Sequence, residues 1–286
     1  MNFIVPTDFS TNAKYAAKYA AMLAQATNSN IRLLHIIAPP LFGDDKLDPT
    51  YKEKVASSKN EASIKLEELR TEIISGNIDI ICDHVTRVAE NSSENIVSIA
   101  LNIKADFIVM GTRGAGLIKK TLLGSNTASV IEDSPIPVFV IPDEVSFSNP
   151  KKIVFASRFH PSDLQAIKQL SIIASAFNAE LIIVHFVENK KNKETSSLIM
   201  ETFLAQIREV ISYPKITCHI FENENAQNGI EKFIDVVDAD LIALSTKNRN
   251  PFEKLLSKSM TKEMAFHSKI PLLAFHIKNI KDGVEL

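Results

Sequence analysis

The chain carries a second copy of itself. Sliding the sequence by 134 residues lays Gly111–Pro137 over Ser245–Pro271 without a gap. Lys120 then meets Lys254, Leu122 meets Leu256, Ser125 meets Ser259 and Thr127 meets Thr261, and the closing Ser134, Ile136 and Pro137 fall on Ser268, Ile270 and Pro271. Nearer the start of each half the offset is 150: Phe3-Ile4-Val5 faces Ile153-Val154-Phe155, Phe9 faces Phe159, and His35 faces His185. The first half therefore holds 16 more residues between its second and fourth strands, and Pro39–Thr50, with three prolines and three aspartates, is the natural place for them. A repeat of this length describes a duplicated domain. The expected domains are 1–145 and 150–280, joined by a linker near Pro142–Lys152.

Within each half, short β-branched runs alternate with longer helical patterns. The first half offers strands at Asn2–Pro6, Ile31–Ile37, Ile78–Cys82, Phe107–Met110 and Val138–Ile141. Between them Ala13, Ala16, Ala17, Ala20, Leu23 and Ala24 recur at helical spacing, as do Leu66, Leu69 and Ile73, and then Ile96, Ile99 and Ile103. A fourth helix covers Ala128–Glu132. The second half repeats the series at Lys152–Ala156, Leu181–Phe186, Ile216–Phe221, Leu241–Leu244 and Leu272–Phe275. Five strands alternating with four helices predict an α/β fold, a parallel sheet covered on both faces and doubly wound through right-handed crossovers.

Composition narrows the function classes. A formal charge of −2 over 286 residues leaves no electrostatic footprint for nucleic acid or an anionic membrane. Cys82 and Cys218 are too few for a disulfide framework or a zinc site of thiolates. The start of the chain lacks a signal-peptide pattern, and no run approaches the roughly 20 apolar residues of a membrane helix. The expectation is a cytoplasmic protein. Of only 8 glycines, Gly111, Gly114, Gly116 and Gly124 share one short segment. Glycine is needed where backbone turns sharply or something approaches closely, so that segment is the first place to look for a ligand.

In doubly wound sheets ligands bind beyond the carboxyl ends of the strands, where the strand order reverses. Pro6-Thr7-Asp8 follows the first strand and Gly111-Thr112-Arg113-Gly114-Ala115-Gly116 follows the fourth. A strand order of 3-2-1-4-5 would bring both to one crevice. The glycine segment is neither a P-loop, because Leu117 and Ile118 stand where Lys and Ser/Thr are required, nor a dinucleotide fingerprint, because Lys119 stands at the third glycine. Small residues can still turn successive N–H groups inward, and Gly124-Ser125 opening a helix adds donors and a dipole. An anion such as phosphate suits that arrangement. The competing reading is a tight strand-to-helix turn without a ligand.

The spacing Gly111-x2-Gly114-x9-Gly124-Ser125 resembles the nucleotide-binding signature of the universal stress protein family. Ile4-Val5-Pro6-Thr7-Asp8-Phe9-Ser10, Leu33-Leu34-His35-Ile36 and Pro137-Val138-Phe139-Val140 are similar to that family as well. The resemblance implies an adenine nucleotide alpha hydrolase-like fold in tandem and, for ATP-binding members, a set of site positions. Pro6, Thr7 and Asp8 would hold the adenosine end, with Ile36 beside the adenine. Met110 and Gly111 would lie by the ribose and phosphates, while Gly114, Gly124, Ser125, Asn126 and Thr127 would cradle the phosphate chain. The expected cofactor is ATP or another adenine nucleotide; Mg2+ is compatible with it, although no carboxylate cluster for a metal is visible. The resemblance also implies pairing through edge strands, which in a tandem chain makes an internal pseudo-dimer. Whether two such chains join as a homodimer stays open.

The second half departs where it matters: Asp8 becomes Arg158, Gly111 becomes Ser245, Gly114 becomes Asn248 and Gly124 becomes Lys258. It is expected to have lost nucleotide binding. His35 and His185 are expected to be satisfied, partly buried histidines, and the basic run Lys190–Lys193 an exposed loop. No nucleophile with a base is visible. The function expected is a stress-response binding protein, with a slow ATPase and a ligand-free partner-binding module as alternatives.

Overall fold

The computed structural model describes residues 1–40, 49–75, 80–112, 124–143, 145, 147–187, 190–223, 226–246 and 270–276. The chain divides into two compact units, Met1–Phe147 and Ser148–Leu286. In the first, β1 (Asn2–Pro6), β2 (Asn30–Ile37), β3 (Cys82–Val88), β4 (Phe107–Gly111) and β5 (Val138–Ile141) lie in the order β3-β2-β1-β4-β5. All their pairings are parallel. The helices are α1 (Thr11–Thr27), α2 (Pro49–Ile74), α3 (Ser92–Asn102) and α4 (Ser125–Asp133). β1 therefore has β2 on one side and β4 on the other, and the switch in strand order lies between β1 and β4.

The second unit repeats this with β6 (Lys152–Ala156), β7 (Glu180–Val187), β8 (Ile216–Glu222), β9 (Leu241–Thr246) and β10 (Leu272–His276), ordered β10-β9-β6-β7-β8. Its helices are α5 (Leu164–Phe177), α6 (Lys190–Val210) and α7 (Ala226–Val237) among the described residues. The basic run Lys190–Lys193, expected as a loop, forms the first turn of α6.

The central strands are buried along their length because helices cover both faces, so they read as continuous apolar runs. Phe3, Phe107 and Phe139 pack in a row from β1 through β4 to β5, with ring centroids 5.6 and 5.4 Å apart. α1 lays its alanines, Ala13, Ala16, Ala17, Ala20 and Ala24, against the sheet, all buried. In the second unit Val154, Ile182, Val184, Phe233 and Ala239 form the corresponding kind of core.

Backbone conformation records the duplication more closely than side chains do. The non-glycine residues with positive φ among those described come in pairs: Phe9 with Phe159, Asn28 with Asn178, and Lys104 with Asp238. The first two pairs keep the early offset and the third keeps the late one. The change of offset also has a place. The connection from β2 to α2 spans residues 38–48, whereas that from β7 to α6 spans 188–189. α2 is also the longer helix, 26 residues against 21 in α6.

Candidate functional site

The site grows from the turn after β1. The Thr7 N–H donates to the Leu34 carbonyl of β2 at 2.8 Å, which carries the strand pairing one residue beyond Pro6. The Thr7 hydroxyl then accepts the Phe9 N–H at 3.0 Å, and the Thr7 carbonyl accepts from His35 Nδ1 at 2.7 Å. A carbonyl can only accept, so Nδ1 carries the proton. Phe9 takes φ 64 and sets its ring 4.5 Å from the His35 ring. Asp8, between these anchors, is exposed, with Oδ1 accepting the Ser10 N–H at 3.0 Å. Ser10 caps α1, its hydroxyl accepting from the Ala13 N–H at 3.2 Å.

The neighbouring strand ends in Met110 and Gly111, both buried. A Cβ on Gly111 would stand 2.8 Å from the Asn12 carbonyl oxygen in the first turn of α1. Glycine here lets that helix start pack directly on the end of β4. Thr112 N–H continues the sheet to Ile141, and its hydroxyl donates to Asp143 at 2.9 Å. Its carbonyl accepts the Gly124 N–H at 2.7 Å. That bond joins the two ends of the glycine-rich segment and sets the start of α4 beside the end of β4.

Gly124 is the N-cap of α4, with no side-chain cap and no acidic residue in the first turn. Ser125 and Asn126 are exposed, whereas Thr127 is buried and its hydroxyl donates to the Gly111 carbonyl at 3.0 Å. Thr127 thus ties α4 to β4, while Ser125 and Asn126 face solvent at a helix end whose dipole favours anions. Ile36 is half-buried at the end of β2. The fold brings Pro6, Thr7, Asp8, Ile36, Met110, Gly111, Gly124, Ser125, Asn126 and Thr127 to the carboxyl edge of one sheet. Gly114, with Gly116 and Lys119-Lys120, lies outside the described residues. Among the described residues no group of three His, Cys, Asp or Glu side chains is placed to hold a metal. Burial pushes both the Cys82 and Cys218 thiols up to about 11, which leaves them protonated and poorly reactive at neutral pH.

The second unit keeps the turn and changes what surrounds it. Ser157 repeats Thr7, donating its N–H to Val184 and accepting from Phe159 N–H and His185 Nδ1. Arg158 stands exposed where Asp8 does. Asp163, only 3% exposed, takes hydrogen bonds from Ser157 Oγ at 2.7 Å and Ser245 Oγ at 3.1 Å. Its counterpart in the first unit is Ala13, and that of Ser245 is Gly111. A carboxylate and two hydroxyls therefore fill the switch point between β6 and β9, and a 3-10 turn, Pro161–Asp163, precedes α5 there. Sequence reasoning passed over Asp163. The signal was present in the offsets, since a helix alanine and a strand-end glycine both become hydrogen-bonding residues in the second copy.

The universal stress protein family model matches the chain twice, over residues 1–142 and 149–276. The chain belongs to the universal stress protein family. A universal stress protein of Thermus aquaticus is 30% identical over 134 residues, which span 47% of this chain and 93% of that one. A universal stress protein of Mycolicibacterium smegmatis is 21% identical over 287 residues, covering 94% of this chain and 95% of its own length. The crystal structure of a universal stress protein from Archaeoglobus fulgidus shares the fold with a TM-score of 0.71 at 21% identity, covering 97% of each chain. The two units are thus universal stress protein domains in tandem. No helix among the described residues is long and apolar enough to cross a membrane.

Proposed function

We propose that the N-terminal unit binds ATP or a related adenine nucleotide and that the chain acts as a stress-response binding protein rather than through turnover. The observation that carries this reading is the contrast between the two copies. One sheet edge pairs an exposed carboxylate with a helix start free of side-chain caps; the other closes its switch point with Asp163. The first arrangement fits a ligand with a hydrogen-bond donor at one end and negative charge at the other. An adenine nucleotide has both.

In this reading Asp8 accepts from the ribose hydroxyls or the base, and Ile36 covers the base. Gly111 keeps the end of β4 low, and the α4 N–H groups with the Ser125 hydroxyl meet the phosphates. Gly114 and its neighbours would complete the cradle with main-chain donors. Binding would alter the surface at this sheet edge, and that surface would be offered to a partner. Any divalent ion would take its ligands chiefly from phosphate and water.

The test is to identify what the purified chain releases on denaturation, then titrate ATP, ADP and AMP into the emptied protein by calorimetry. Ser125→Asp is the control, because an acid in a helix's first turn suits the helix yet repels phosphate. We expect ATP to bind and Ser125→Asp to weaken it roughly 100-fold, about 2.7 kcal/mol. A folded wild-type chain giving no signal with any of the three would end the nucleotide reading.

A further inference from the structure

We propose that His35 is a positioning residue for the nucleotide site: it holds the Thr7–Asp8 turn from the far side of the sheet and touches no ligand itself. This rests on the nucleotide reading above. Along β2, side chains alternate between faces. His35 and Ile36 therefore serve opposite faces, and if Ile36 lies against the base, His35 lies away from it. From there its Nδ1–H reaches the Thr7 carbonyl at 2.7 Å and its ring packs on Phe9. Those two contacts fix the residues on either side of Asp8.

The second unit separates this role from ligand chemistry. His185, Ser157 and Phe159 repeat the device, with Nδ1 to carbonyl at 2.9 Å, rings 5.2 Å apart and φ 56 at Phe159. The residue it presents there is an arginine. A device that serves carboxylate and guanidinium alike is built to place a side chain, whatever its charge.

The two copies differ in how much else supports the turn. In the second unit Phe159 is buried against Phe203, 5.6 Å away, and Ser157 also bonds to Asp163. In the first unit Phe9 is half-buried, with Lys65 Nζ lying 5.8 Å from its ring centroid, and Ala13 stands where Asp163 would. With Ala13 at that position, no carboxylate supports the first turn from the start of α1. The first turn consequently depends on His35 more than the second depends on His185.

The experiment compares His35→Ala, His35→Asn and His185→Ala with wild type, reading ATP affinity by calorimetry and stability by urea unfolding. Asn places an N–H donor near the position of Nδ1 and is expected to restore most of what Ala loses. His35→Ala should weaken ATP about tenfold, as the loss of one well-placed hydrogen bond implies. His185→Ala should leave ATP affinity at the wild-type value. Loss of stability without loss of affinity in His35→Ala would overturn the proposal, as would equal loss of affinity in both alanine variants. If His35→Ala fails to fold, wild-type affinity in His35→Asn supports the role, and a full tenfold loss in it refutes it. If wild type itself binds no nucleotide, the reading beneath the proposal has failed and the proposal goes with it. Wild-type binding with an indifferent His35→Ala removes this proposal alone.

Discussion

A methyl group at Gly111 would stand 2.8 Å from the Asn12 carbonyl oxygen, inside any normal carbon–oxygen contact, and the atom it meets is backbone. Gly111→Ala must therefore push the first turn of α1 off the end of β4. We expect a loss of about 1–3 kcal/mol in urea unfolding, the usual cost of overpacking. Ser245 holds the equivalent position in the second unit and is tolerated because the helix starts differently. There Pro161–Asp163 forms a 3-10 turn and Asp163 accepts from the serine. Asp163→Ala should cost about 2–3 kcal/mol by the same measurement, since it strands two hydroxyls where a carboxylate had accepted from both. A loss below 0.5 kcal/mol would mean that water replaces the carboxylate and that the switch point is wetter than its burial implies. Neither effect could be read from either sequence half by itself. Gly111 was legible as a strand-end glycine, but its steric partner, a helix carbonyl, comes from packing.

The elements themselves were largely visible, and the exception has a physical cause. The apolar run ending at Ile81 suggested a third strand over Ile78–Cys82, whereas β3 spans Cys82–Val88 and Ile81 is 70% exposed. β3 is the sheet's outer strand in this unit, so its residues alternate between cover and solvent, with Asp83 and Arg87 pointing outward. An alternating, charged strand sends a weaker signal than a short isoleucine-rich run beside it. Helix ends were legible only in part. α1 and α5 both stop at an asparagine in the left-handed region, Asn28 with φ 49 and Asn178 with φ 54. The next residue's N–H returns to the helix at 2.8 Å in each case, Ser29 to Ala24 and Ala179 to Ala174. Asparagine tolerates this conformation better than other non-glycine residues. Asn28→Ala should then lose about 1 kcal/mol, and Asn28→Gly should equal or exceed wild type. Equal losses in both would show that the Asn28 side chain, and not its backbone angle, ends the helix.

At the scale of the whole molecule, duplication has produced one backbone plan with two unequal edges. The sheet order, the turn after the first strand and the left-handed residues are common to both units, so fold alone would assign each a ligand. Side chains distinguish the two edges: Asp8 against Arg158 at the turn, Gly111 against Ser245 at the strand end, and Ala13 against Asp163 at the helix start. Asp163, bonded to Ser157 and Ser245, puts a side chain at the second switch point where the first unit has only Ala13 and Gly111. One adenine nucleotide per chain is the expected stoichiometry in equilibrium dialysis. Hydrogen exchange should slow on ATP addition around residues 7–12 and 124–128, and stay unchanged around 157–164. Two nucleotides per chain, with slowed exchange at both edges, would show that the second copy binds despite its filled switch point. The distinction between the units would then lie in which nucleotide each prefers, and the competition of ATP with AMP at each edge would measure it.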